Sequence, residues 1–391
     1  MDTKRIVIKN RENPADEELF EAARILKEGG LVAFPTETVY GLGGNALDGD
    51  AARRIYEAKG RPSDNPLIAH ISSMEELAPL VSRIPEAGQI LAEKFWPGPL
   101  TMIFPKSDQV PLSTTGGLDT VAVRMPDDPV AQKLIRLAGV PVAAPSANTS
   151  GRPSPTTADH VWQDLNGKIE MIVDGGPVGI GVESTIVDVT GPVPVILRPG
   201  FITQEMLDEL FGHVEMDPAI TGPMKEGIHP KAPGMKYRHY APKGQLTLVE
   251  LTEETVKALY TPGSSLYSQV SRIMADRGRS WGLDPESFYM AWQVNRLAEE
   301  KKKEGCRVGV ICTEETRDVY TAAVKRSIGR RSSADSVAHN LYAVLREFDD
   351  LGVDYIFSES FARDHLGQAI MNRLSKAAGY QIGRASCRER V

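Results

Sequence analysis

The chain has 391 residues, 41% of them hydrophobic, which is enough for two or three domains with cores of their own. The balance of 45 basic against 52 acidic residues gives a net charge of −7, arguing against a broad nucleic-acid-binding surface while permitting a local basic cavity. Cys306, Cys312 and Cys387 lack CxxC spacing and support neither a disulfide framework nor a zinc site, and no apolar run approaches a membrane span.

The start, "MDTKRIVIKNRENPADEELF", carries no uninterrupted apolar stretch of the secretory kind, so a cytoplasmic protein is expected. Asn13-Pro14 reads as an N-cap followed by proline at the first helical position; Leu19, Ala22, Ala23 and Leu26 form one apolar face, and Gly29-Gly30 ends the helix. Short strands bounded by Gly, Pro, Asp and Asn are predicted at 31–34, 67–71, 100–104, 120–125, 140–144, 170–174, 184–189 and 194–198. Helices fit 50–58, 73–81, 86–95, 128–138, 157–165 and 203–211. This alternation predicts an α/β domain over 1–211, a twisted mixed sheet with flanking helices.

Residues 212–244 are rich in Pro and Gly and lack a clear period, the mark of a linker or lid. Beyond them "QLTLVEL", "RVGVICT" and "DYIFSES" read as core strands, with helices at 334–350 and 367–378, so a smaller α/β domain is expected over 245–382. The final "GRASCRERV", 383–391, reads as a disordered or non-native tail.

Four stretches put polar and basic groups at strand ends, where ligands of α/β sheets bind: "PTETVYGLG" (35–43), "KGRPSDNP" (59–66), "PSANTSGRPSP" (145–155) and "VESTIVD" (182–188). Each has a plain alternative. Thr36 and Thr38 suit strand ends and the glycines a turn; Lys59 and Arg61 suit a solvated helix C-terminus; His70 suits a satisfied core position; Arg124 suits a rim salt bridge. Together, Lys59, Arg61, Ser146, Asn148 and Ser154 have the cationic and neutral donors that a nucleotide's phosphates need, and Arg124, ending "TVAVR" on the face of Ala122, suits a carboxylate. Neither GxxxxGK[ST] nor GxGxxG is present to explain the set.

In order along roughly residues 15–242, "FPTETVYGLG", "RPSDNPLIAHI", "WPGPLT", "AAPSANTSGRPSPT", "ESTIVD", "LRPG" and "PGMKYRHYAP" resemble the threonylcarbamoyl-AMP synthases with a YrdC-like domain, in their long two-domain form. The signature Lys-x-Arg and Ser-x-Asn stands here as Lys59-Gly60-Arg61 and Ser146-Ala147-Asn148, and "LGQAIMNRLSKAA" (366–378) supports the second domain. The resemblance implies a YrdC-like catalytic domain and a Rossmann-like C-terminal one. It implies condensation of L-threonine, bicarbonate or carbon dioxide and ATP into threonylcarbamoyl-AMP and pyrophosphate, for transfer to tRNA by a partner threonylcarbamoyl transferase. Carried over by motif position, Lys59 and Arg61 are the catalytic residues, while Thr38, His70, Arg124, Ala144 and Ser184 surround threonine. Arg61, Asn65, Thr120, Ser146, Asn148, Ser154, Arg198 and Tyr240 contact ATP, Tyr240 from a linker folded back as a lid. Mg²⁺ is expected to ride on ATP, with no metal site in the protein and no membrane contact. An RNA-binding module of the same fold, or a weak RNA contact, is the alternative; the related hydrogenase-maturation carbamoyltransferases carry cysteine-rich zinc modules that three scattered cysteines cannot supply.

Overall fold

The computed structural model describes residues 1–220, 222, 230–233, 239–276 and 282–385. They divide into two units, one drawn from 1–239 and 364–372, the other from 240–363 and from 373 onward. The segment 364–372, expected in the second domain, thus groups with the first: Asn372 Nδ2 donates to the Ile220 carbonyl at 2.9 Å.

The first unit runs β1 (Lys4–Val7), α1 (Asp16–Lys27), β2 (Val32–Phe34), β3 (Gly41–Asn45), α2 (Gly49–Lys59), β4 (Ile68–His70), α3 (Glu86–Phe95) and β5 (Leu100–Pro105). It continues through α4 (Leu112–Thr115), β6 (Thr120–Arg124), α5 (Pro129–Ala138), β7 (Val142–Ala143), α6 (Ala158–Leu165), β8 (Met171–Asp174), β9 (Thr185–Asp188), β10 (Val195–Arg198), α7 (Gln204–Phe211) and β11 (Glu215–Met216). The strands form one mixed sheet in the order β1-β8-β2-β3-β7-β4-β6-β5-β9-β10-β11. Unbroken apolar runs such as 31–34 arise because both faces are covered. Val32, Phe34, Met171 and Val173 pack with α1 and α5, while Leu31, Ala33 and Ile172 join the larger core on the other face.

Several expectations are corrected. The first helix is capped at Ala15 rather than Asn13, with Glu18 Oε2 accepting from the Ala15 N–H. The helix expected at 73–81 is a single 3-10 turn, Met74–Glu76, because only Leu77 and Leu80 of that stretch reach the core before Val81 bridges to Lys106. The glycines of "YGLGG" make strand β3 rather than a turn. A Cβ on Gly43 would stand 2.7 Å from the Phe34 ring and 2.8 Å from Val142, so two neighbouring side chains occupy its place. The linker begins with structure, β11 pairing in parallel with β10 and a 3-10 turn at Pro218–Ile220.

The second unit comprises β12 (Gln245–Leu251), α8 (Glu253–Tyr260), α9 (Ser265–Asp276), α10 (Pro285–Lys303), β13 (Val308–Cys312), β14 (Val324–Ser327), α11 (Ala334–Asp350), β15 (Tyr355–Glu359), α12 (His365–Ala377, its first turns grouped with the first unit) and β16 (Ile382–Ala385). Its sheet is parallel throughout, in the order β14-β13-β15-β12-β16. Met290, Ala291 and Val294 of α10 pack on Val308 and Val310, while Phe348 of α11 lies against Gly309, so helices cover both faces in the Rossmann-like manner expected. Residues 383–385, read as tail, pair with β12 through Val249↔Gly383 to Leu251↔Ala385; 386–391 lie outside the described residues. Cys306 and Cys312 are free thiols, and no helix among the described residues is long and apolar enough to cross a membrane.

Candidate active site

The site is organised by strand β6. Arg124 at its end lies directly opposite His70 of β4 on one side and Thr101 of β5 on the other. Residues opposite one another in a sheet project from the same face, so an imidazole, a guanidinium and a hydroxyl form one polar row across three strands. Thr120 and Ala122 share that face at two-residue spacing; Thr120, half-buried, stands roughly 13 Å along the strand from Arg124. Between them Ile68, Ile103, Ala122, Ile186 and Leu197 make an apolar floor, closed by Ala232 of the linker.

Arg124 is 4% exposed and its donors are spread over the row's neighbours. Nε donates to the Gly98 carbonyl at 3.2 Å, Nη1 to Thr38 Oγ1 at 2.9 Å, and Nη2 lies 2.5 Å from Glu37 Oε1. Thr36 uses its proton on the Val39 carbonyl at 2.7 Å and closes the turn, leaving the Thr38 hydroxyl to donate to Thr36 and accept from Arg124. Thr36 is therefore the turn former, and Thr38 the member facing the guanidinium.

His70 Nδ1 faces the Ile68 carbonyl at 3.1 Å, which can only accept, so Nδ1 carries the ring proton. Burial, and secondly the charge of Arg124, lowers its pKa to about 3; the ring is neutral at physiological pH. The same carbonyl accepts the Ala144 N–H at 2.8 Å, which brings Ala144 beside His70. On the far side Thr101 Oγ1 lies 2.8 Å from Ser184 Oγ, and Arg198 grips Ser184 twice, Nε to its carbonyl at 3.0 Å and Nη2 to its hydroxyl at 3.1 Å. Thr38, His70, Arg124, Ala144, Ser184 and Arg198 are thus brought together.

The Lys-Gly-Arg signature is a helix stop. Gly60 caps α2 at φ +60°, and Arg61 N–H returns to the Tyr56 carbonyl at 2.9 Å, which turns Lys59 inward and releases Arg61 to the following loop. Lys59 is 2% exposed, and its ammonium holds the Ser146 carbonyl, the Asn148 carbonyl at 2.6 Å and Asn148 Oδ1 at 3.3 Å. Its own carbonyl accepts from Ser150 N–H at 2.8 Å. Ser146 Oγ donates to Asn148 Oδ1 at 2.5 Å, and Asn148 Nδ2 to the Thr149 and Arg152 carbonyls. Ser146 and Asn148 of "PSANTSGRPSP" thus brace their own loop with Lys59 as the central strut, while Thr149 ties it to Asp164 of α6. Ser154 donates to Glu183 Oε1 at 2.6 Å, one residue before Ser184. Arg61 Nη2 donates to the Asn65 and Pro66 carbonyls, and Asn65 is fully buried with both side-chain amide atoms unpartnered among the described residues.

Tyr240 belongs to the second unit, in left-handed backbone at φ 64° with its ring 5.2 Å from that of Tyr342; residues 234–238 of the expected lid lie outside the described residues. Sequence reasoning passed over Glu37, Thr101 and Glu183. Glu37 stood inside a highlighted stretch, whereas Thr101 needs the strand register that sets it opposite Arg124.

Residues 24–200 match the Sua5, YciO and YrdC family described as Telomere recombination, and 202–379 match the family described as Threonylcarbamoyl-AMP synthase, C-terminal domain. A threonylcarbamoyl-AMP synthase of Bacillus subtilis is 45% identical over 94% of both chains, and one of Pyrococcus abyssi 46% identical over 96% of this chain and 98% of that one. The structure of P. abyssi Sua5 complexed with L-threonine superposes with a TM-score of 0.83 at 45% identity, covering 98% of this chain and all of the other. Similarity that runs nearly end to end, through both family regions and the motifs that build the Arg124 row, places this chain in the threonylcarbamoyl-AMP synthase family.

Proposed function

We infer that this chain condenses L-threonine, bicarbonate or carbon dioxide and ATP into threonylcarbamoyl-AMP and pyrophosphate, as a nucleotidyltransferase. The observation that carries the reading is the buried row His70–Arg124–Thr101, bordered by Thr38 and Ser184, in a chain whose full-length relatives bear that name. A row of one fixed cation, neutral imidazole and hydroxyls suits a small polar amino acid: Arg124 takes its carboxylate, while Thr38, His70, Ala144 and Ser184 enclose the rest. The nucleotide lies toward Thr120 and the 145–155 loop, where Asn65 offers a side-chain amide awaiting partners and Arg61, Ser146, Ser154 and Arg198 reach ATP by exchanging hydrogen bonds they now make within the protein.

The substrates supply the nucleophile. Threonine's amine, after losing its ammonium proton, adds to carbon dioxide and releases a second proton to give a carbamate; a carbamate oxygen then bonds to the α-phosphorus as the bond from that phosphorus to pyrophosphate breaks. The protein's part is to hold carbamate and α-phosphate in line and to stabilise phosphoryl charge. Lys59 contributes by fixing the loop that carries Ser146 and Asn148, and Arg61, held on the Asn65 and Pro66 carbonyls, by turning its guanidinium to the phosphates. Mg²⁺ enters with ATP, as part of the substrate.

Ala232, a linker residue buried on the apolar floor, supports a part for the linker in excluding water from a mixed anhydride. The product passes to a tRNA threonylcarbamoyl transferase, in the cytoplasm. Burial of Lys59, Arg124 and Arg198, each at most 5% exposed, weighs against the RNA-binding reading, because a nucleic-acid backbone needs accessible cations. The test is incubation with ATP, labelled bicarbonate and L-threonine, followed by mass spectrometry. Threonylcarbamoyl-AMP and pyrophosphate should form and both vanish without threonine, and Arg61→Ala and Ser146→Ala should lower their yield with the fold intact. Wild-type yield in both variants, or salt-dependent RNA binding with no product, overturns the reading.

A further inference from the structure

Glu37 stands between Thr36 and Thr38 and puts Oε1 2.5 Å from Arg124 Nη2, with a side chain 14% exposed. The two charges touch without bonding well. Both carboxylate oxygens of Glu37 and Nη2 of Arg124 are buried, and none has an aligned hydrogen bond among the described residues. Buried polar atoms are ordinarily satisfied, and unmatched charged ones are the most costly to keep. Here two acceptors and a donor are left unmatched side by side, at the end of the row that faces threonine.

The neighbouring groups are otherwise committed. Thr38 serves Thr36 and Arg124; Thr101 and Ser184 face each other; the neutral His70 uses Nδ1 on the Ile68 carbonyl. Asp128 accepts from Arg11 and from the Val130 and Ala131 N–H groups at the start of α5, while Asp127 is exposed. Beside Arg124, Glu37 is therefore the buried carboxylate with acceptors to offer.

We propose that Glu37 receives the α-ammonium of threonine, so that the Arg124–Glu37 contact parts to hold the two ends of the amino-acid zwitterion. This rests on the threonine-site reading above. The charge balance favours it: the empty pair is neutral, the ligand adds one charge of each sign, and each of the four charges ends beside its opposite. The donor that Arg124 lacks an acceptor for meets the carboxylate, and the oxygens of Glu37 meet the ammonium protons. Selection between an amino acid and the equivalent hydroxy acid then resides in Glu37.

The test is calorimetric titration of the wild type, Glu37→Gln and Glu37→Asp with L-threonine and with the α-hydroxy acid of the same side chain and configuration. The wild type should prefer threonine by at least about 100-fold, as expected when one partner of a buried charge pair is removed. Glu37→Gln should cut that preference to below about tenfold, and Glu37→Asp should keep most of it. Equal weakening of both ligands in Glu37→Gln overturns the proposal, since a residue that merely props Arg124 acts on the shared carboxylate. If Glu37→Gln does not fold, the wild-type ratio decides: equal affinity for the two ligands refutes the assignment. A wild type that binds neither ligand overturns the threonine site itself, and this proposal with it.

Discussion

Replacing Lys59 with methionine separates a structural from a chemical role for the first signature residue. Methionine keeps the length and apolar stem of lysine but removes an ammonium that is 2% exposed and bonded to the Ser146 carbonyl, the Asn148 carbonyl and Asn148 Oδ1. Hydrogen bonds to a charged group contribute about 1.5–3 kcal/mol each, and the orphaned carbonyls add a desolvation cost; relief from burying the charge offsets part of this. The net expected loss is about 3 kcal/mol. For a domain of about 150–250 residues each kcal/mol moves the midpoint by about 2–4 °C, so Tm should fall by about 6–12 °C. Scanning calorimetry reads the shift, and steady-state pyrophosphate release reads the accompanying rise in KM for ATP as the 145–155 loop loosens. An unchanged Tm with turnover abolished would refute the strut and return Lys59 to direct contact with the phosphates.

Arg124→Lys keeps the charge but cannot reach Gly98, Thr38 and Glu37 together, so threonine affinity should fall by at least about tenfold by titration calorimetry; unchanged affinity would remove Arg124 from the site. His70, held neutral with a pKa of about 3 against an ordinary 6.5, makes stability depend on acid: between those values the unfolded chain binds a proton the folded ring refuses. Stability should therefore fall as pH drops below 6.5 and stay flat above, with the wild type losing about 2 kcal/mol more than His70→Gln between about pH 7 and pH 5 in urea titrations; parallel curves would contradict the assignment. Gly43→Ala places a methyl within 3 Å of Phe34 and Val142 and should cost about 1–3 kcal/mol, checked by urea unfolding; a neutral result would show that β3 tolerates a side chain there.

Local signals carried much of the fold. The strands expected at 100–104, 120–125 and 194–198 and the helix at 334–350 form close to their expected bounds, because each pairs an apolar run with clear Gly, Pro or Asp boundaries. What sequence could not show depended on distant packing. "GLGGN" reads as a turn until Phe34 and Val142 are known to lie over Gly43, and β1, absent from the expected strands, takes its place only by pairing with β8. The same holds at the site. Arg124 was legible as a strand-end cation, but its alignment with His70 and Thr101 exists only in the register of three strands from separate parts of the chain. Lys59 and Asn148 were legible as members of one signature, while their union inside the loop required the helix stop at Gly60.

A crystal structure of this chain grown with L-threonine and a non-hydrolysable ATP analogue tests the account most directly. The threonine carboxylate should lie within hydrogen-bond reach of Arg124, between His70 and Thr101, with the α-phosphate approaching from the Thr120 and Ser146 side. Threonine or nucleotide seated away from that row would contradict the account.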